Sequence, residues 1–239
     1  MQRTPEFARI RTCLAGSVHF STLSAKDLDA IAALGRVVRL DEGRPLHDSS
    51  TEPASFWIVL SGCLRIASSD ADGDEFVYAL LGPGSFFGLG SVVVHAPLGV
   101  AAYAYGATDV AAIDGARFTA LLEKTPGLWR HVAMLLYRRL SVAMLVIRDI
   151  SSAPLAQRIV RRLVGQAVSR GAGPFEGESV ELRVTQSDLA VMLGASRSKV
   201  NAELKRLEAD GLIEVGYRAI ALRDLARLRA LAGADVFAF

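Results

Sequence analysis

The chain has 239 residues, of which 51% are apolar and 22% are charged, and its formal net charge at pH 7 is +2. This balance excludes an intrinsically disordered chain and suits one large or two ordinary domains. The longest apolar stretch, residues 132–147, contains Arg138 and Arg139 and is too short for a bilayer, so no membrane span is expected.

Cysteine usage and the N-terminal residues bear on the cellular compartment. Cys13 and Cys63 are the only cysteines, and their spacing predicts neither a disulfide scaffold nor a zinc or iron–sulfur site. No apolar segment of the signal-peptide kind is visible near the N-terminus. A location in the reducing cytoplasm is therefore expected.

Two helices followed by short strands are predicted for the first 125 residues. The first helix covers residues 7–15, and the second follows Ser24, which precedes Asp27 by the three residues of a capping box. From residue 37 onward, short apolar segments alternate with glycine-rich turns, a pattern typical of a small β-sandwich or barrel. The clearest segments are residues 56–60, 64–67, 76–81 and 110–113, and Asp72-Gly73 is a hairpin signal.

One long helix is predicted over residues 126–150, because Pro126 suits a first helical turn and no further proline occurs before Pro154. Seven apolar residues along it alternate steps of four and three, the heptad pattern of a two-stranded coiled coil. These seam residues are Trp129, Ala133, Leu136, Leu140, Ala143, Ile147 and Ile150. A second apolar set, Leu128, Val132, Leu135, Val142 and Val146, is expected to pack on the helix's own domain. The alternative is one wide face buried within a monomer.

The segment 184–213 has the spacing of a helix-turn-helix. Ala190 is small where two helices would cross, Gly194 supplies the positive φ that the turn needs, and Val200 packs the second helix on the first. Around this motif, a helix is predicted from Pro154 to about residue 169. The remaining predicted elements are a glycine-rich loop at 171–174, a two-stranded wing around Tyr217-Arg218 and a last helix at 224–232.

The second helix of this motif begins with side chains suited to nucleic acid. Ser196 is positioned to cap this second helix, and Thr185 is positioned to cap the first. The first turn of the second helix therefore carries hydroxyls, cations and free backbone N–H groups together. Such a turn can enter a major groove, read base edges and bind phosphates. The predicted DNA-binding residues are Thr185, Gln186, Ser196, Arg197, Ser198, Lys199, Asn201 and Lys205. A helical hairpin with a solvated basic face is the alternative.

Taken together, these motifs resemble the CRP/FNR family of bacterial transcription regulators over most of the chain. Residues 60–65 (LSGCLR) resemble the family's LSGxhr hairpin, and residues 83–88 (PGSFFG) resemble its PGdffG turn. Arg138-Arg139-Leu140 falls where the family's dimer helix often has such a triplet. The recognition-helix signature is matched by residues 194–197 (GASR), Val200, Leu207-Glu208 and residues 211–213 (GLI).

The resemblance implies an α+β fold in three parts. These are an N-terminal, jelly-roll-like β-roll of the cyclic-nucleotide-binding type (residues 1–125), a dimerisation helix (126–150) and a C-terminal winged helix-turn-helix (151–239). It also implies a homodimer that binds double-stranded DNA at a palindromic operator, with RNA polymerase as a further partner. The polar stretch 149–153 is then expected to be a hinge that sets the spacing of the two recognition helices.

Two positions of the recognition helix depart from the family. Many members carry Glu after the Ser-Arg pair and Arg five residues after the first Arg, where this chain has Ser198 and Ala202. Arg197 is kept and is the best candidate for a bidentate contact to guanine. The operator is therefore expected to differ from the half-site of the cyclic-AMP-responsive members.

The effector pocket departs further. Nucleotide-binding members place Glu at the ribose and an Arg-Ser/Thr pair at the cyclic phosphate, where this chain has Leu89, Val100 and Ala101. A buried phosphate would lack its counter-charge there, so cyclic AMP is not expected as effector. The degenerate pocket consists of Phe87, Gly88, Leu89, Gly90, Val100, Ala101, Ala143 and Met144. An apolar effector, a filled core, or haem held by His95 or His131 are the open alternatives, and no cofactor is identified.

Two classes of enzyme lack their usual residues in this chain. A cupin-like metal enzyme needs a His-x-His pair with a Glu, and the four histidines are spread singly. A nucleophilic hydrolase of the GxSxG kind is excluded because that motif does not occur. No catalytic residue and no metal ligand is predicted, and the chain is expected not to be an enzyme.

Overall fold

The computed structural model describes residues 4–47, 55–69, 72, 75–97, 99–169 and 180–233. By its internal contacts the chain divides into two compact units. One comprises Met1–Asp74 with Tyr78–Tyr137, and the other comprises Glu75–Val77 with Arg138–Phe239. No described helix combines the length and the apolar composition that crossing a bilayer requires.

Helices α1 (Pro5–Gly16) and α2 (Ala25–Ala32) open the first unit. Ser24 Oγ accepts a hydrogen bond from the Asp27 N–H at 3.2 Å and begins α2, which confirms the predicted cap. Helix α1 starts two residues earlier than predicted, because Pro5 fits a first helical turn and the Thr4 hydroxyl caps it.

In the described part of the chain, eight strands form the two four-stranded sheets of the roll. The first sheet has the order β1 (Gly35–Leu40), β8 (Thr108–Asp114), β3 (Ser55–Ser61), β6 (Phe86–Phe87). The second has the order β2 (Pro45–His47), β7 (Ala101–Ala104), β4 (Leu64–Ser69), β5 (Glu75–Leu81). All four predicted strand segments lie within β3, β4, β5 and β8. Strands β4 and β5 are neighbours, as the hairpin signal predicts, Asp72 is a turn residue, and Gly73 lies outside the described residues.

Strand β3 is buried on both faces. Phe56 and Ile58 join one core cluster, whereas Trp57 and Val59 join the other, because successive side chains of a strand point to opposite faces. The cluster around Trp57 fills the space between the two sheets with side chains from both of them. Two-sided burial explains why residues 56–60 are continuously apolar rather than alternating.

Three helices belong to the roll or follow it: α3 (Leu89–Val94), α4 (Gly115–Lys124) and α5 (Pro126–Ser152). Leu128, Val132 and Leu135 of α5 are buried in the same core cluster as Phe56, so the first half of the second apolar set packs on the roll as predicted.

Helix α5 ends two residues later than the predicted range of 126–150. The helix continues through Ser152, since the Ala153 N–H still donates to the Asp149 carbonyl oxygen at 3.0 Å. Pro154 then ends it, because the residue before a proline is pushed out of the α region. Ser151 and Ser152, in the polar stretch expected to be a hinge, are therefore the last residues of α5.

The second unit contains α6 (Leu155–Ser169), α7 (Gln186–Leu193), α8 (Arg197–Ala209) and α9 (Leu225–Ala232). Its antiparallel sheet has the order β10 (Ile213–Gly216), β11 (Ala219–Leu222), β9 (Val180–Arg183). Strands β10 and β11 are the predicted wing. Strand β9 was not predicted, and it is placed by its pairing with β11, which lies more than thirty residues further along the chain. The predicted loop at 171–174 lies outside the described residues.

Candidate nucleic-acid interface

Helix α7 begins in a capping box, which confirms the cap predicted at Thr185. Thr185 Oγ1 accepts from the Asp188 N–H at 3.0 Å, and Asp188 Oδ2 accepts from the Thr185 N–H at 3.2 Å. Two backbone donors that the helix itself leaves unsatisfied are thereby paired. The box fixes the first turn of α7, where Gln186 is half-buried and Ser187 is exposed.

Gly194 forms the turn between α7 and α8, as predicted. Its φ of 56° lies in the left-handed region, which glycine adopts without steric cost. The Ala195 N–H then donates to the Ala190 carbonyl oxygen at 3.0 Å and closes the end of α7. Ser196, two residues after Gly194, caps α8: its Oγ accepts from the Lys199 N–H at 3.4 Å. The second predicted cap is therefore also confirmed.

Helix α8 buries one face and exposes the other. Val200, Leu204 and Leu207 are buried against the rest of the unit. The side chains predicted to meet DNA lie mainly on the opposite side: Ser196, Arg197, Ser198, Lys199 and Lys205 are exposed, and Asn201 is half-buried. The first turn of α8 thus presents two hydroxyls and two cations to solvent.

A cleft of about 230 Å³ separates the helix-turn-helix from the wing. The start of α7 contributes Thr185, Gln186 and Ser187, the start of α8 contributes Arg197, and the wing contributes residues 215–220. Three predicted DNA-binding residues therefore line one concave surface. The other predicted residues of α8 do not line it.

The wing tip belongs to this surface, although its residues are not among those predicted to bind DNA. Tyr217 is 94% exposed, and Arg218 has a φ of 54° that is uncommon for a residue other than glycine. Both line the cleft beside Arg197. The available signal was an aromatic–basic pair at the tip of a hairpin between two apolar strands.

Helix α6 supports the helix-turn-helix through two arginines. Arg158 Nη2 donates to the carbonyl oxygen of Leu193, the last residue of α7, and Arg162 Nε donates to Met192 Sδ at 3.3 Å. A guanidinium at this end satisfies a carbonyl that the helix leaves without a partner. Burial lowers the pKa of Arg162 to about 10, so that side chain still carries its charge at neutral pH.

The predicted seam lies mostly on the exposed side of α5. Leu140 and Ile147 are each 60% exposed, and Ile150 is exposed by a similar fraction. Trp129, Ala133 and Ala143 are exposed too, whereas Leu136 is half-buried and packs against the roll core. A long apolar stripe open to water is the kind of surface that proteins cover with a partner.

The six predicted pocket residues of the roll are apolar, and three of them are buried and three half-buried. Phe87 stacks on Trp57 with ring centroids 5.9 Å apart, and Leu89, the first residue of α3, is buried in the core. Gly88 is buried, while Gly90, Val100 and Ala101 are half-buried. Among the described residues of this unit, no lysine or arginine is buried. Ala143 and Met144 are exposed on α5.

The two histidines considered as haem ligands have different settings. His131 is buried on α5 with its ring centroid 5.9 Å from that of Phe20, and His95 ends α3 in the left-handed conformation. Within the ranges that the structure describes, no three His, Cys, Asp or Glu side chains are grouped to hold a metal ion.

Comparison with known proteins matches both units. The profile of the cyclic nucleotide-binding domain matches residues 37–125, and that of the Crp-like helix-turn-helix domain matches residues 157–231. The transcriptional regulator SdrP of Thermus thermophilus is 30% identical over 175 residues, covering 73% of this chain and 82% of SdrP. The cyclic AMP receptor protein of the same organism is 26% identical over 219 residues, covering 92% of this chain and 98% of that protein.

A solved structure shares the fold. FixK2 from Bradyrhizobium japonicum has a TM-score of 0.67 at 23% identity, covering 84% of this chain and 98% of that one. A roll, a long helix and a winged helix-turn-helix with an exposed basic turn define a DNA-binding transcription regulator. More narrowly, the chain belongs to the CRP/FNR family.

Proposed function

We propose that this protein is a homodimeric, sequence-specific regulator that binds a two-fold symmetric DNA site and has no catalytic activity. The observation that carries the proposal is the first turn of α8. Arg197 and Lys199 are exposed in that turn, directly after the cap at Ser196, and Arg197 lines the cleft between the helix-turn-helix and the wing. Arg197 has the geometry for a bidentate contact to guanine, and the other polar side chains have reach to bases or phosphates.

The DNA-binding surface in this proposal has a central and a flanking part. Ser196, Arg197, Ser198, Lys199 and Asn201 enter the major groove, whereas Thr185, Gln186 and Lys205 contact the backbone beside it. Helix N-termini bind phosphate through free N–H groups, and the starts of both α7 and α8 are available for this. The wing residues Tyr217 and Arg218 lie on the same concave surface and extend the contact.

The exposed apolar stripe on α5 supports the proposed dimer. A partner helix in heptad register would cover Leu140, Ile147 and Ile150, which are among the most exposed large apolar side chains that the structure describes. Two copies related by a two-fold axis present two recognition helices, and these match half-sites about 34 Å apart. RNA polymerase is the further partner in this proposal, and a cytoplasmic location accords with both partners.

The proposed effector is not a cyclic nucleotide. The interior of the roll holds Trp57 and Phe87 in a stack, and Leu89 is buried where the nucleotide-binding relatives use a carboxylate. A cyclic phosphate buried in such surroundings would have no cation to pair with, which costs several kcal/mol. The roll is either filled and effector-independent, or it binds an apolar effector or a haem held by His95 or His131.

Selection of binding sites from a random duplex pool, with the full chain and no added ligand, tests this function. Enrichment of a palindromic site with half-sites about one helical turn apart is expected. Affinity for that site should fall steeply with salt, as phosphate contacts release counterions. Absence of any enriched sequence, both without ligand and with cyclic AMP, haem or a set of apolar metabolites added singly, would refute the proposal. If cyclic AMP raised the affinity for the operator, the effector assignment would be refuted, but the proposed DNA-binding function would stand.

A further inference from the structure

Arg161 joins three helices of the second unit. One branch of its guanidinium, Nη1, pairs with Asp149 Oδ1 on the last turn of α5. Its Nε donates to the carbonyl oxygen of Ala232, the last residue of α9, at 2.8 Å. The side chains of Arg161 and Asp149 are only 14% and 12% exposed, so this is a largely buried ion pair rather than a solvated surface contact.

The Asp149 carboxylate stands at an unfavourable place for a negative charge. It is buried at the C-terminal end of α5, where the helix dipole repels anions. Arg161 supplies the opposing charge from α6, and the exposed Arg148 approaches the same oxygen at 3.6 Å. Because a buried charge needs its partner, the direction of the α5 terminus is coupled to the position of α6.

Helix α6 carries this constraint on to the helix-turn-helix. Arg158 lies three residues before Arg161, which places the two side chains on neighbouring positions of the helix surface. Its guanidinium donates to the Leu193 carbonyl oxygen, directly before the Gly194 turn that leads into α8. Through Arg161 and Arg158, helix α6 therefore makes polar contacts both to the end of α5 and to the end of α7, just before the turn into the recognition helix.

We propose that Arg161 is a positioning residue for DNA recognition: by holding Asp149 and the end of α9 it fixes the winged helix-turn-helix on the end of α5, and so sets the half-site spacing that the dimer accepts. The inference rests on the proposed function, since it concerns the same DNA site. Arg161 does not touch DNA in this role. It determines how far the two recognition helices are allowed to diverge.

Operators that differ only in half-site spacing test the role directly. The enriched site and versions lengthened or shortened by one and two base pairs are titrated with wild type, Asp149→Asn and Arg161→Lys. Asp149→Asn removes the charge while keeping size and an acceptor, and Arg161→Lys keeps the charge while giving up the forked contact to Ala232. Arg148→Gln is the matched control, because it removes the exposed partner of the same carboxylate.

Wild type and Arg148→Gln are expected to prefer one spacing sharply. Asp149→Asn and Arg161→Lys should bind that best site about 3- to 30-fold more weakly, a range typical of coupling residues, and lose less on the altered spacings. The ratio between best and altered spacings therefore falls, which simple destabilisation would not cause. Affinity for a single half-site should stay unchanged.

Two results would overturn the inference. One is a loss of affinity that is equal on every spacing and on the single half-site, which would make Arg161 a stabilising residue only. The other is an unchanged spacing preference in folded Asp149→Asn and Arg161→Lys. If wild type enriches no palindromic site either without ligand or with any of the ligands named above, the proposed function fails, and that failure is visible before any variant is made.

Discussion

Gly88 lies against the indole of Trp57 so closely that a Cβ atom at position 88 would be 2.9 Å from Trp57 Cζ3. Its φ of 85° is also in the left-handed region. The turn that leads from β6 into α3 therefore requires glycine for two separate reasons, a steric one and a conformational one. The same indole stacks on Phe87, with ring centroids 5.9 Å apart.

Replacing that glycine should destabilise the roll. Gly88→Ala is expected to lower the free energy of unfolding by about 2–4 kcal/mol, from the combined cost of the left-handed backbone and the overpacked indole. Denaturant unfolding measures the loss. Gly90→Ala is the matched control, because its Cβ would lie 3.6 Å from Leu136 Cδ2 at ordinary contact distance inside a helix. Equal losses in the two variants would contradict the steric account.

The capping box of α7 gives a prediction about stability. Thr185→Ala removes the acceptor of the Asp188 N–H and should cost about 1 kcal/mol. Thr185→Ser keeps a hydroxyl at the same position and should retain most of the stability. Thermal unfolding followed by circular dichroism compares the two variants with wild type, and an equal decrease in both would mean that the methyl group rather than the cap matters.

The exposed stripe on α5 gives a prediction about assembly. Replacing Leu140 and Ile147 together by Asp should convert dimers into monomers, because four charges would face one another across the seam. Sedimentation velocity reads the oligomeric state, and the same variant should lose operator binding. Leu231→Asp serves as control, since Leu231 is also half-exposed and apolar but lies on α9. Dimers of the double variant would place the interface elsewhere.

Recognition of bases by Arg197 can be separated from contact to phosphate. Arg197→Ala should cost about 1–3 kcal/mol on the selected operator and relax the preference at one base pair of each half-site. Arg206→Ala, on the same helix but outside the cleft and paired with Glu203 at 2.9 Å, should leave the sequence preference intact. If Arg197→Ala weakened binding uniformly on all sequences, its contact would be to phosphate.

The reactivity of Cys13 should depend on pH in a defined direction. Burial raises the pKa of the Cys13 thiol, opposed by a backbone hydrogen bond from Gly84 and by the charge of Arg9. The native thiol therefore holds its proton to higher pH than an unfolded cysteine, and alkylation by iodoacetamide should be slower than in the denatured chain at pH 8.5. The free energy of unfolding depends on the same proton. The contribution of the buried, protonated thiol is fully present below the ordinary thiol pKa of about 8.5, and it is lost as pH rises through the higher pKa of the native state. Cys13→Ala should reduce the loss of stability between pH 8 and 10, and an unchanged pH profile would contradict the assignment.

Local chemistry made much of this fold predictable from the sequence. Ser24, Thr185 and Ser196 each cap a helix by accepting from an N–H three residues on, so the signal and its effect lie within one turn. The length of α5 and the turn at Gly194 were predictable for the same reason, because a helical period and a left-handed glycine are visible in a short window.

Tertiary structure decided what depends on residues far apart in the chain. Arg161 and the Ala232 carbonyl are 71 positions apart, and nothing in the sequence around either residue indicates their hydrogen bond. The same holds for the wing residues Tyr217 and Arg218 beside Arg197, and for strand β9 beside β11. A cap or a period depends on neighbouring residues, so the sequence alone determined the capped helices, the long helix α5, the wing and the helix-turn-helix. The cleft and the ties between helices form only when the folded backbone brings distant side chains within hydrogen-bond or packing distance, and only the folded chain decides them.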